Sequence, residues 1–341
     1  MYLCDRMHDK FLTRCLALAQ MARGRTSPNP LVGAVIVHNG LIIGEGYHAK
    51  AGEPHAEIRA IASVKDPSLL PHSTLYCSLE PCAHFGRTPP CSLRIVQERI
   101  PHVVIGCLDP HDKVAGKGVA ILQQAGVRVE LAADPRPFEL LNKVFFTNIL
   151  RQRPYVTLKW AQSADGYLDD ERNGRSTAAR ISGPLAASRT HQLRAQHDAL
   201  LVTGKTLNAD RPSLTLRHWA GRAPRPIVLV GGRIRPQKDA LSQLNNPLLI
   251  GLHLDDYPYE TLAVDAYKPE EWLPLLLEKG LTSVLVEGGG TLHEALATNG
   301  WADAVVRYTA PHTLGSGPKA YDLKQTPSKQ FWLGKDLYET F

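Results

Sequence analysis

Two periodicities alternate along the first half of the chain. Apolar residues at Phe11, Leu12, Cys15, Leu18 and Ala19 recur at helical spacing and predict an amphipathic helix over 8–22. A Ser27-Pro-Asn-Pro30 turn follows, then a buried apolar run from Val32 to Val37. Asn39-Gly40 is a hairpin signal leading into a strand over 41–46. Pro54 sits where a helix can begin, and His55 to Val64 continues at helical spacing. Thr74 to Leu79 predicts a strand, and Pro81-Cys82 the opening of a short helix. A helix over 92–99, a strand over 102–107, a helix over 117–124 stopped by Gly126 and a strand over 127–131 complete the series. Such alternation predicts helices packed on both faces of one sheet.

Residues 134–153, with Pro135 and Pro137, read as a junction. Beyond it the α/β alternation restarts. Strands are predicted at 155–160, 199–203, 226–230, 247–252, 283–286 and 304–310, with helices at 184–196, 270–279 and 291–298. The expected division is therefore one domain over 1–150 and a second over 151–341. A length of 341 residues agrees with two domains of ordinary size.

No apolar run approaches the ~20 residues that cross a bilayer. The first ten residues are charged almost at once and carry no signal-peptide stretch, so a cytoplasmic enzyme without membrane contact is expected. The net charge of +6 comes without a long basic block, so nucleic acid is not indicated as a partner, and small phosphorylated ligands explain the excess equally well. All six cysteines (Cys4, Cys15, Cys77, Cys82, Cys91, Cys107) lie in the first third. A disulfide framework would suit a short secreted domain, so the asymmetry points to a use for thiolates in the first domain alone.

His55-Ala-Glu57 and Pro81-Cys82 with a later Cys91 carry that use. A catalytic zinc takes three protein ligands and leaves one position to water. His55, Cys82 and Cys91 supply three, at positions consistent with the starts of two helices, where the positive helix end favours thiolate over thiol. Water on such a zinc becomes hydroxide near neutral pH and attacks an amidine-like carbon. Glu57 is placed to take the water proton and hand it to the leaving amine. A structural zinc would instead want a fourth ligand, such as His84, and would leave Glu57 without purpose. Eight residues separate Cys82 from Cys91, unlike the C-x-x-C spacing of nucleobase deaminases.

In the second domain, Ser283-Val-Leu-Val-Glu-Gly-Gly-Gly290 puts three glycines between a strand and a helix. Their backbone N–H groups could approach a phosphate, or the turn could simply be a tight connection. It is not the G-x-G-x-x-G fingerprint.

These residues together carry a resemblance. His55-Ala-Glu57 with Ser78-Leu-Glu-Pro-Cys82-Ala-His-Phe-Gly-Arg-Thr-Pro-Pro-Cys91 closely resembles the riboflavin-biosynthesis bifunctional deaminase–reductase family, in which the wider cysteine spacing is the rule. Pro28-Asn-Pro30, Gly44-Glu-Gly-Tyr-His48 and Val114-Ala-Gly-Lys-Gly118 match as well, and the match is dense over 14–150. The resemblance implies a three-layer cytidine-deaminase-like domain acting on a diaminopyrimidinone with a phosphoribosylamino group. Asn29 and His48 would hold its ring, and Arg87 would meet its phosphate. Read singly, Asn29 is a turn residue and Arg87 a solvated loop charge. His111 stands where the family commonly has Asn.

Leu158-Lys159 with Ser163-Ala-Asp-Gly166, Leu193-Arg-Ala-Gln196, Gly204-Lys-Thr206, Ala209-Asp210 and Leu214-Thr-Leu-Arg217 extend the likeness to a dihydrofolate-reductase-like α/β domain. There the resemblance implies reduction of the ribose to a ribityl chain by hydride from NADPH. Thr206, Asp210, Glu287, Gly288, Gly289, Gly290 and Thr291 would form the cofactor site. Lys159, Arg194, Leu214 and Arg217 would face the substrate, with the arginines suited to its phosphate. Arg180 replaces a Trp, and Gly231 a Ser, that relatives carry. A homo-oligomer is expected. Two other readings are a deaminase with a weakened reductase-like domain and a nucleic-acid base deaminase; the wide cysteine spacing and the lack of basic or aromatic stripes weigh against the second.

Overall fold

The computed structural model describes residues 2–85, 89–111, 115–172, 178–231 and 234–341, with side chains from His8 onward. Two compact units divide the chain, Met1–Arg151 and Gln152–Phe341.

The first unit runs α1 (Tyr2–Gln20), β1 (Gly33–His38), β2 (Leu41–Tyr47), α2 (Ala56–Ala62), β3 (Thr74–Cys77), α3 (Cys91–Gln97), β4 (His102–Ile105), α4 (Lys117–Gln124), β5 (Arg128–Leu131), α5 (Arg136–Leu141) and α6 (Lys143–Arg151). Among the described residues the strands form one sheet in the order β2-β1-β3-β4-β5. β1 lies antiparallel to both β2 and β3, while β3, β4 and β5 are parallel. Alternate strand residues feed two cores. Ala34, Ile36, Leu75, Cys77, Val103 and Ile105 pack with Ala56, Ala60, Ile95 and Leu122 of α2, α3 and α4. Val35, Val37, Tyr76 and Val104 pack with Phe11, Leu12, Cys15 and Leu18 of α1 and Phe138 of α5. The predicted three-layer arrangement is what these residues build.

Two local expectations are corrected. The stretch read as a junction is helical, because Pro135 caps α5 and Pro137 lies in its first turn, where proline forfeits no helical hydrogen bond. Pro81-Cys82 opens no helix. Instead the Cys82 carbonyl accepts from the N–H and hydroxyl of Ser92, at 3.3 and 3.0 Å, and so ties this loop to the start of α3.

The second unit runs β6 (Tyr155–Gln162), α7 (Pro184–Ala195), β7 (Ala199–Thr203), α8 (Gly204–Asp210), β8 (Arg225–Val230), α9 (Lys238–Leu241), β9 (Leu248–Gly251), β10 (Glu260–Leu262), α10 (Pro269–Glu278), β11 (Ser283–Val286), α11 (Gly290–Thr298), β12 (Ala304–Thr309), β13 (Lys329–Leu333) and β14 (Asp336–Thr340). Its sheet has the order β10-β9-β8-β7-β11-β6-β12-β14-β13 among the described residues. Strands β10 to β12 in that order are parallel, and β14 and β13 add an antiparallel edge. Both faces of the parallel strands are covered, which explains their continuous apolar runs. Leu201, Val284 and Val286 face the core under α10 and α11; Leu200, Val202 and Leu285 face the one under α7, α8 and α9.

Candidate functional site

In the first unit, one Nδ1 and two Sγ atoms converge. The possible ligand atoms of His55, Cys82 and Cys91 all lie within 4.8 Å of one another, and this is the group of that kind among the described residues. His55 Nδ1 is 3.5 Å from the Cys82 sulfur and 3.3 Å from that of Cys91. Local structure sets each donor. His55 is the N-cap of α2 in an extended conformation, so Pro54 lies just outside the helix. Cys91 opens α3 after Pro90. Its N–H donates to the Cys82 sulfur at 3.2 Å, so α3 rather than a helix of Cys82's own offers its positive end to that thiol. Hydrogen bonding with Cys91, then with His55, lowers the Cys82 pKa against the cost of burial. A thiolate beside a second thiol and an imidazole is a soft three-donor set of the kind that zinc takes, with a position left over. His84 is exposed and stands outside the group.

Glu57, in the first turn of α2, is 3% exposed beside this cluster. Burial pushes its carboxyl up to about 7, against the pull of His55. A carboxyl near neutrality serves equally as proton acceptor and donor. His48 packs edge-on to His55, with ring centroids 5.4 Å apart. The Asn29 amide donates to His48 Nε2 at 3.1 Å, and His48 Nδ1–H donates to the Pro54 carbonyl at 3.3 Å. Burial lowers the His48 pKa and keeps this neutral tautomer. Arg87 lies outside the described residues. The His111 N–H donates to Asp109 at 2.8 Å.

One residue escaped the sequence reading. The buried Glu80 carboxylate accepts backbone N–H bonds from Asp109, Gly116, Gly118 and Val119 at 3.0 to 3.3 Å. It thereby caps α4 and ties Asp109 and residues 116–119 to the loop that carries Cys82. A Cβ on Gly118 would lie 2.1 Å from the Pro81 carbonyl oxygen, so only glycine permits this approach. A glutamate next to Pro81-Cys82 inside the motif was the available signal.

In the second unit a cavity of about 1000 Å³ opens at the carboxyl ends of β6, β11, β7 and β8. Its lining includes Lys159, Thr206, Asp210, Glu287, Gly289, Gly290 and Thr291 of the predicted site residues. Gly289 has φ +53°, a conformation that favours glycine, and turns the chain from β11 into α11. Gly288 lies off the cavity and packs on β7, where a Cβ would meet the Thr203 nitrogen at 2.8 Å. Lys159 has its ammonium 5.6 Å above the Tyr308 ring, and burial lowers its pKa while Glu287 opposes the shift. Burial would raise the Glu287 carboxyl, but Lys159 and Arg194 outweigh it and hold it at about 2.

Three predicted substrate residues stand apart from this lining. Arg194 spends its guanidinium on Glu287 and, through Nη1, on the Thr215 carbonyl at 3.1 Å. Leu214 is a core residue at 2% exposure. Arg217 is exposed and donates to the Ser213 hydroxyl at 2.8 Å. Both departures noted in the sequence, Arg180 and Gly231, do line the cavity. Among the described residues no helix is long and apolar enough to cross a membrane.

Comparison with known proteins finds a matching family for each unit. Residues 154–334 match the RibD C-terminal domain, and residues 5–107 match the cytidine and deoxycytidylate deaminase zinc-binding region. The chain is 35% identical over 323 residues to riboflavin biosynthesis protein RibD of Synechocystis, covering 91% of this chain and 85% of the relative. It is also 35% identical over 336 residues to RibD of Escherichia coli, covering 91% and 89%. Among solved structures, a diaminohydroxyphosphoribosylaminopyrimidine deaminase/5-amino-6-(5-phosphoribosylamino)uracil reductase from Thermotoga maritima superposes with a TM-score of 0.87 at 31% identity over 98% of each chain. Acinetobacter baumannii RibD gives 0.86 at 30% identity, again over 98% of each. With its residues 154–334 matching the RibD C-terminal domain and relatives of this identity along nine-tenths of its length, the chain belongs to the RibD family of riboflavin-biosynthesis proteins.

Proposed function

We propose that the chain is a bifunctional enzyme of riboflavin biosynthesis. Its first unit deaminates 2,5-diamino-6-(5-phosphoribosylamino)pyrimidin-4(3H)-one, and its second reduces the ribose of the product to a ribityl chain with NADPH. The observation that carries this reading is the convergence of His55, Cys82 and Cys91 beside the buried carboxyl of Glu57.

His55, Cys82 and Cys91 would hold zinc, which supplies the Lewis acid that makes water nucleophilic near neutral pH. Glu57 takes the proton from the attacking water and delivers it to the departing amine nitrogen, so one carboxyl works first as base and then as acid. The Asn29–His48 pair presents a neutral, oriented polar edge beside His55 for the pyrimidine ring.

In the second unit Thr206, Asp210, Gly289, Gly290 and Thr291 would hold NADPH, which supplies the hydride. The cavity has the upper volume of ordinary ligand sites, and its backbone turns at two helix starts suit phosphates. Lys159 polarises the ribose oxygen and donates toward it, and its depressed pKa favours that transfer. Glu287 fixes the Lys159 ammonium electrostatically.

The test gives zinc-loaded protein the diaminopyrimidinone with and without NADPH, following ammonia release and NADPH oxidation. Both signals are expected in order. Ammonia without NADPH loss leaves a deaminase with a weakened reductase-like unit, a reading that Arg180 and Gly231 in the cavity wall favour. Absence of ammonia overturns the proposal.

A further inference from the structure

Four parallel strands end at the cavity of the second unit, and their order lays out a track. Gly231 follows β8, Thr203 ends β7 with Gly204 to Thr206 following it, Glu287 to Gly290 follow β11, and Lys159 lies in β6. These strands are successive neighbours, so β6 and β8 stand three spacings apart, about 14 Å. Ligands of such sheets lie across the carboxyl ends of the strands. The reducing end of a dinucleotide must reach the ribose near Lys159 and Glu287, which leaves its base at β8.

At that end the wall is unusual. Position 231 has no side chain, and a Cβ there would lie 2.9 Å from Cζ and 3.0 Å from the hydroxyl of Tyr267. The missing side chain is thus the space that the Tyr267 ring uses. The ring lines the cavity while remaining 73% exposed, so most of its surface has no protein partner. Its backbone is held on both sides. The Tyr267 N–H donates to Asp265 at 2.9 Å, the Lys268 N–H donates to the Asp265 carbonyl at 3.0 Å, and Ala266 is buried with its carbonyl bonded by Trp272 Nε1 at 3.3 Å. A fixed loop therefore presents an open aromatic face to the cavity. Flat heterocycles stack on such faces whatever their identity.

We infer that Tyr267, seated on Gly231, is the stacking platform for the base of the dinucleotide. The inference rests on reading this cavity as the NADPH site. Gly231 and Tyr267 then form one device: the glycine makes room for the ring, and the ring supplies the contact that a side chain at 231 would otherwise make.

Calorimetric titration of the full chain with NADPH and with adenosine 2′,5′-bisphosphate, the half that lacks nicotinamide, tests this. Y267A is expected to weaken both by the same factor, about 5- to 100-fold, and Y267F to weaken neither. Tyr267 is exposed, and unchanged thermal unfolding of Y267A will confirm that the fold is intact. G231V is expected to weaken binding as Y267A does, with no further loss in the double variant. Unchanged affinity in Y267A, a loss confined to NADPH, a Y267F as weak as Y267A, or losses that multiply in the double variant would each overturn the inference. Failure of the unaltered chain to bind NADPH would instead overturn the reading of the cavity, and the inference with it.

Discussion

Arg194 and Glu287 meet in a two-point ion pair, with Nε to Oε1 at 2.9 Å and Nη2 to Oε2 at 2.6 Å, and each side chain is only about a tenth exposed. The pair joins α7 to the turn after β11 and fixes the wall from which Glu287 addresses Lys159. Removing one partner of a buried pair strands the other charge, at a cost of about 3–5 kcal/mol. R194M is expected to lose that much stability and R194K a smaller part, because lysine cannot reproduce the two-point geometry. All five tryptophans lie in the second unit, so denaturant titration followed by tryptophan fluorescence reports it selectively. A melt unchanged in R194M would remove the pair from the stability of this unit.

The same unit has a defined acid limit. His293 is 2% exposed, stacks on Trp160 and donates Nε2–H to the Val286 carbonyl at 3.2 Å, and burial lowers its pKa to about 4. Below pH ~6.5 the unfolded chain binds a proton that the folded one refuses, so stability falls as pH drops from ~6.5 toward 4, by about 3 kcal/mol in order of magnitude. Glu287, held at about 2, adds a second loss as pH falls from ~4.5 toward 2, because the folded state resists its protonation. Replacing His293 with Leu should flatten the first slope in pH-dependent fluorescence melts. An unchanged slope would exclude His293 as its source.

Glu57→Gln keeps the shape of the side chain and removes its proton chemistry. Ammonia release is expected to fall by at least about 10²-fold while metal analysis finds zinc content unchanged. Retained turnover would take Glu57 out of its role.

Asn29→Ala leaves His48 Nε2 without its donor beside the cluster. The expected result is a KM for deamination raised about 5- to 100-fold with the zinc content intact. Steady-state ammonia assays measure it, and an unaltered KM would show that the pair does not touch the ring.

Glu80→Ala orphans four backbone N–H groups at once. A loss of at least about 3 kcal/mol is expected, seen as faster hydrogen exchange over the described part of 109–119. Exchange as slow as in the parent chain would contradict the anchoring role.

What was legible in the sequence had local causes. Runs such as Leu200 to Val202 and Ser283 to Val286 announced strands, and their unbroken apolar character follows from burial on both faces. His55, Cys82 and Cys91 could be named because a metal demands particular atoms. Partnerships set by packing were not readable. Arg194 finds Glu287 93 residues away, and a guanidinium suited to phosphate looks the same in sequence as one neutralised by a carboxylate. Among the described residues the Glu80 carboxylate bonds to backbone alone, which has no letter in a sequence. The β13–β14 edge escaped because β13 has no fully buried position: Lys329, Gln330 and Trp332 are exposed, and Phe331 and Leu333 pack only partly on the core.

Three further thiols have a practical meaning. Cys15, Cys77 and Cys107 are buried, and each donates its proton to a carbonyl, of Tyr76, Val104 and Ser78 respectively. Burial pushes Cys107 up to about 12 and the other two well above the ordinary thiol range. Alkylating reagents consume thiolates, so these three are silent toward them. Cys82, half-buried and inclined to ionise, answers instead unless a metal occupies its sulfur. Labelling at Cys82, read in the peptide that contains it, turns the chain into its own gauge of how much metal it carries.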